Sequence, residues 1–201
     1  MRSLVRRIPL ISLIGWALSW GALAWATLVR PVTLPELVQR SATIVHGTVQ
    51  ETHTAWEDGR ARLYTYVTVS PREVLKGNSA SGRTLTFRQL GGRDGDQIIL
   101  VPGTPRFSPK QEVLLFLTGD DEAGYPQVMG ISQGAFRPVG GPGGAMGVEA
   151  LSPGAASLLL PEKVRGATGA APAPVPATFF GGFMERIRSL VREQAGGSPR
   201  R

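Results

Sequence analysis

The clearest pattern of apolar and polar positions lies between Leu63 and Gly77, reading LYTYVTVSPREVLKG. Leu63, Thr65, Val67 and Val69 fall on one side of an extended chain, and Tyr64, Tyr66, Thr68 and Ser70 on the other. A period of two in β-branched and aromatic residues predicts a strand. Pro71 cannot donate to a ladder, so the strand is expected to bend, bulge or reach a sheet edge there before Val74 and Leu75 resume it. Similar patterns predict strands over Ala42 to Thr54, Thr84 to Leu90, Gln97 to Val101, Gln127 to Ile131 and Ala135 to Val139. Val113 to Leu117 is five apolar residues in a row, which predicts a strand buried on both faces. Gly91 to Asp96 reads as a loop and Pro102 to Pro109 as an extended segment anchored by Phe107.

Helical signals are confined to the two ends of this set. Thr33-Leu34-Pro35-Glu36 has capping-box spacing and predicts a short helix to about Gln39. Near the other end, Phe180, Phe183, Met184, Ile187, Leu190 and Val191 form an apolar stripe at helical spacing within 178–194, with Arg186, Arg188, Arg192 and Glu193 elsewhere. Such a helix either docks on the strand domain or lies on a membrane surface or partner through residues 179–191. The predicted fold is mainly β: a small five- to six-stranded barrel over 32–139 with a short N-terminal helix and a C-terminal amphipathic helix. Residues 140–177, rich in Gly, Pro and Ala and including GATGAAPAPVP, are expected to form a disordered linker.

Residues 1–26 carry a basic start, a charge-free apolar run from Ile8 to Trp25 and an Ala24-Trp25-Ala26 ending. They read as a secretory signal peptide cleaved after Ala26, or as an N-terminal membrane anchor through 8–25. Either places the rest of the chain outside the cytoplasm, in a periplasmic or extracellular setting. Cysteine is absent from the 201 residues, which removes disulfides, thiolate metal ligands and a thiol nucleophile. The net charge of +7 changes less than it suggests, because Val32 to Val139 carries 11 basic and 11 acidic residues. A neutral centre between basic ends lacks the footprint of a phosphate-backbone binder, so no nucleic-acid partner is expected.

The run Ala42-Thr43-Ile44-Val45-His46-Gly47-Thr48-Val49, Tyr64 to Val69, Glu73-Val74-Leu75-Lys76-Gly77, Gly91-Gly92, Gly103 to Phe107, Glu112 to Leu117 and Gln133-Gly134-Ala135-Phe136 resembles a family of secreted bacterial domains of uncharacterised function. Some of those domains are found near matrixin-type metalloproteases. Their layout is similar to the OB-like barrel of netrin and TIMP modules, and the resemblance covers about Val32 to Val139. It implies an OB-like fold. TIMP-type inhibition uses an N-terminal cysteine and a disulfide-stapled module, neither of which this chain can supply. The resemblance brings no functional residue with it.

Candidate chemistry is sparse. Gly130-Ile131-Ser132-Gln133-Gly134 matches the spacing of a hydrolase nucleophile elbow, but strands flank it and both histidines precede it. His46 and His53, an odd number apart, fall on opposite faces of a regular strand. Glu51 and His53, with Glu57 and Asp58 near, could at most make a weak surface metal site. No metal and no cofactor is expected. Trp56 in a turn, with Tyr64 and Tyr66 sharing a strand face, forms the candidate binding surface. Tyr64 and Tyr66 would otherwise pack under a loop or the C-terminal helix. The expected function is a non-enzymatic exported module that binds a protein or envelope component. A protease-associated inhibitor or accessory module, and a hydrolase using Ser132, are the alternatives.

Overall fold

A computed structural model describes residues 32–78, 83–131, 133–141, 144–151 and 179–196. The expected signal segment at 1–26, most of the linker and Ser132 lie outside the described residues.

The first element among the described residues is α1, Leu34–Arg40, whose start is fixed by a complete capping box. The Glu36 amide donates to the Thr33 hydroxyl at 3.3 Å and the Thr33 amide donates to Glu36 Oε2 at 2.9 Å. At its other end the Lys76 ammonium donates to the carbonyls of Val38 and Gln39, neutralising the exposed end of the helix dipole. Next come β1 (Thr43–Glu57), a short turn at Asp58–Arg60, and β2 (Arg62–Lys76). The remaining strands are β3 (Leu85–Leu90), β4 (Gly92–Asp94), β5 (Gln97–Ile99), β6 (Glu112–Leu117), β7 (Ala135–Gly140) and β8 (Met146–Ala150). Helix α2, Phe180–Gly196, closes the set.

The protein is mainly β. Six antiparallel strands form one sheet in the order β3-β2-β1-β6-β7-β8, and β4 and β5 form a separate two-stranded ribbon. Pro71 does not end β2. It lies opposite Gly47, where the register of β1 slips between His46 and Gly47. β3 pairs with β2 only from Tyr64 to Val69, so beyond Val69 β2 has β1 as its one neighbour among the described residues and the missing N–H breaks no ladder there. Gly47 is required there: a Cβ would stand 2.4 Å from the Ser70 carbonyl oxygen. The strand therefore continues through the bend that its proline announces.

Every residue of β6 from Val113 to Leu117 is buried, as a five-residue apolar run demands. Alternation divides them between two cores. Leu114 and Phe116 join Ile44, Phe136 and Val148 under α1 and α2. Val113, Leu115 and Leu117 join Val45, Val49, Val67, Val69 and Phe87 on the opposite face. Helix α2 docks through Phe183, Met184, Ile187 and Leu190, all buried, and Phe183 meets Phe136 edge to face at 5.2 Å. Its Arg188 donates two hydrogen bonds to the Glu73 carboxylate of β2, at 2.8 and 3.0 Å. Thus the apolar stripe predicted over 179–191 is spent on the sheet. No described helix is long and apolar enough to cross a membrane.

Three assignments from the sequence differ from the structure. The sheet runs past Val139, because β8 occupies Met146–Ala150 inside the segment expected to be linker. β8 pairs with β7 from Gly140↔Met146 to Phe136↔Ala150, and the Gly141 amide donates to the Ala145 carbonyl at 2.7 Å beside that ladder. The predicted strand over Gln127 to Ile131 reduces to a single bridge, Leu117↔Val128, followed by a turn. Gly92–Asp94, read as loop, is β4.

Candidate functional site

The aromatic pair Tyr64 and Tyr66 sits side by side on β2, as its period requires, but each is only 7% exposed. What covers them is the segment 118–127 after β6, and not α2. Arg88 on β3 stands directly across from Tyr66 and organises the contact. Its guanidinium lies 4.2 Å from the Tyr64 ring centroid and 5.7 Å from that of Tyr125. It donates to Asp121 Oδ2 at 2.7 Å and to the Glu57 carboxylate, which also accepts from the Tyr66 hydroxyl. Tyr66 stacks on His53, with centroids 5.0 Å apart, and takes the edge of Tyr125 at 5.1 Å. The Arg88 amide donates to the Pro126 carbonyl at 3.1 Å, tying the outer edge of β3 to the covering loop.

This cluster is electrostatically closed. Burial would raise the Asp121 carboxyl, but hydrogen bonds from Gln127, Arg88 and the amides of Tyr125 and Ala123 outweigh it and bring it down to about 2. The Tyr66 hydrogen bond and then Arg88 hold Glu57 below the ordinary carboxylate range. Burial, reinforced by the Glu57 hydrogen bond, raises the Tyr66 phenol. Each polar group is matched to a partner, which suits a structural clasp. Sequence reasoning missed Arg88, Asp121 and Tyr125. The available signal was the alternation of LTFRQL, which puts Arg88 on the same sheet face as Tyr64 and Tyr66.

Trp56, the third predicted site residue, is half-buried near the end of β1. Its indole N–H donates to Asp94 Oδ2 at 2.7 Å, and Arg60 lies 5.1 Å from its ring centroid. Trp56 therefore borders the β4–β5 ribbon, away from the Arg88 clasp that holds the tyrosines. The ribbon is fixed across β1 and β2 by two threonines: Thr54 donates to the Arg93 carbonyl and Thr65 to the Gly91 carbonyl, both at 2.7 Å. Gly92 permits this approach, since a Cβ would fall 2.6 Å from Thr65 Oγ1 and its φ is +146°.

Beside the ribbon lies a groove of about 460 Å3. Phe107, which lines it, meets Phe87 of the core edge to face at 5.2 Å, so the groove opens above one of the two cores. Leu90, Ile98 and Leu100 line it and are 43%, 48% and 70% exposed. Gln89 also lines it. The Gln89 Nε2 donates to the Pro105 carbonyl at 2.9 Å, and its Oε1 is buried without a partner among the described residues. A carbonyl can only accept, so the amide orientation is determined and the orphan is the acceptor.

The two histidines work separately. His46 donates from Nε2 to Glu112 Oε1 at 2.7 Å, next to Phe180 of α2, whereas His53 is held by Tyr66. Among the described residues no group of three or more His, Asp or Glu side chains could hold a metal ion. No protein-family model, characterised protein or solved structure matches the chain.

Proposed function

We propose that the chain is an exported, non-enzymatic β module that binds a protein or cell-envelope component at the end of the sheet bearing Trp56 and the β4–β5 groove. One observation carries this reading: three large apolar side chains, Leu90, Ile98 and Leu100, stand exposed around one concavity. Clustered exposed apolar surface of this kind marks interaction sites on soluble proteins. Tyr64 and Tyr66 enter the reading as the support that fixes this end of the sheet, and Trp56 as its accessible aromatic. An OB-like barrel is part of the proposal. It is supported by the β1-β2-β3 meander, by the use of β1 as neighbour to both β2 and β6, and by the Arg88–Pro126 backbone bond that draws β3 toward the segment after β6. OB-type barrels use a sheet face and its loops to bind ligands. Export rests on the signal-like residues 1–26.

A photo-crosslinking side chain placed at Leu100 in the full-length protein tests the reading in the envelope fraction. Specific adducts are expected at Leu100 and not at Arg192, an exposed position on α2. The same products at both positions, or none at either, overturn it.

A further inference from the structure

We infer that the groove accepts an extended acidic and apolar peptide segment of a partner protein, laid along the outer edge of β5; this rests on the binding-module reading above. Three features converge. The first is the apolar surface of Leu90, Ile98 and Leu100, which suits side chains projecting on one side of an extended strand. The second is charge. Arg93 and Arg106 line the groove, and neither has an ion-pair partner among the described residues. Arg106 also lines an adjoining groove of about 680 Å3, which adds Lys110. The acid lining that second groove, Glu149, is already held by Arg137 at 2.6 Å. The surface is therefore cationic along its length, and its complement carries carboxylates.

The third feature selects a peptide over an anionic lipid. β5 pairs with β4 alone, and its other edge has no backbone partner among the described residues. Gln89, which lines the groove, carries a buried acceptor, Oε1, with no donor among the described residues. The free edge needs both N–H donors and C=O acceptors, and Gln89 Oε1 needs a donor. An extended peptide supplies them from its backbone, in the manner of strand addition to a sheet edge. An acyl chain offers no donor, and a phosphate headgroup would answer only the arginines.

The test uses the full chain and a synthetic peptide of alternating valine and glutamate, blocked at both ends. Binding is read from backbone amide shifts over residues 97–106 and from the shift of the Trp56 indole N–H. The same peptide with lysine for glutamate is expected to bind about tenfold or more weakly. Methylation of alternate backbone nitrogens should abolish binding. Arg93→Glu combined with Arg106→Glu should reverse the preference toward the lysine peptide while the melting temperature stays unchanged, which separates recognition from folding. Equal binding of the two peptides, binding that survives N-methylation, or binding to anionic phosphatidylglycerol vesicles in place of the peptide overturns the inference. If the Leu100 crosslink succeeds while the glutamate peptide fails to bind, the peptide class is wrong and the binding module stands. If both fail, both fall.

Discussion

At the scale of single residues, the clasp around Arg88 decides how this protein responds to acid. The Asp121 carboxyl sits at about 2 in the folded protein against an ordinary 3.8, so the unfolded chain takes up its proton first as pH falls. The clasp's contribution is complete above about pH 3.8 and is lost progressively as pH falls toward 2. Urea unfolding followed across this range should show falling stability for the natural chain. It should show a flatter profile for Asp121→Asn, which begins less stable at neutral pH because the amide cannot replace a carboxylate accepting from Arg88. Gly47 makes a different point. Its Cβ would meet the Ser70 carbonyl at 2.4 Å and Val69 Cγ1 at 2.9 Å, and the first of these is backbone that cannot swing away. Gly47→Ala should cost about 2 to 3 kcal/mol in chemical denaturation, the range of an overpacked interior.

Among the elements, legibility followed the strength of the local pattern. β1, β2, β3 and β6 were readable because each alternates or runs apolar over five residues or more, and burial then enforces one register. α1 was readable from its capping box alone. β8 was hidden because MGVEA is short, lies among glycines, and is held as a strand by its ladder to β7 and not by its own propensity. β4 was hidden likewise: Thr54 and Thr65, distant in sequence, supply the hydrogen bonds that flatten it. The candidate site was only partly visible. Aromatic spacing found Tyr64 and Tyr66, but burial under residues 118–127 depends on Asp121 and Tyr125, which no local pattern links to β2. The amphipathic stripe of α2 was plain, and the structure shows it seated on the sheet. Ile187 is wholly buried there, so Ile187→Ala should cost about 3 kcal/mol and lower the melting temperature. An unchanged transition would contradict the docking.

For the whole molecule, the two cores are not independent, because β1 and β6 supply adjacent residues to opposite sides. Ile44 and Val45, or Leu114 and Leu115, cannot loosen one without disturbing the other. A defect under α2 is therefore felt on the far face, toward the groove. The seating of α2 has a further consequence, which concerns timing. Phe183, Met184, Ile187 and Leu190 complete the core over Ile44, Phe116 and Phe136, yet they come after every strand of the sheet in sequence. Before they emerge, that side of the sheet has only the short α1 as cover, and the cooperative fold cannot close. Folding of the sheet waits for the segment that forms α2. A chain built this way stays open to chaperones and proteases until α2 has been made.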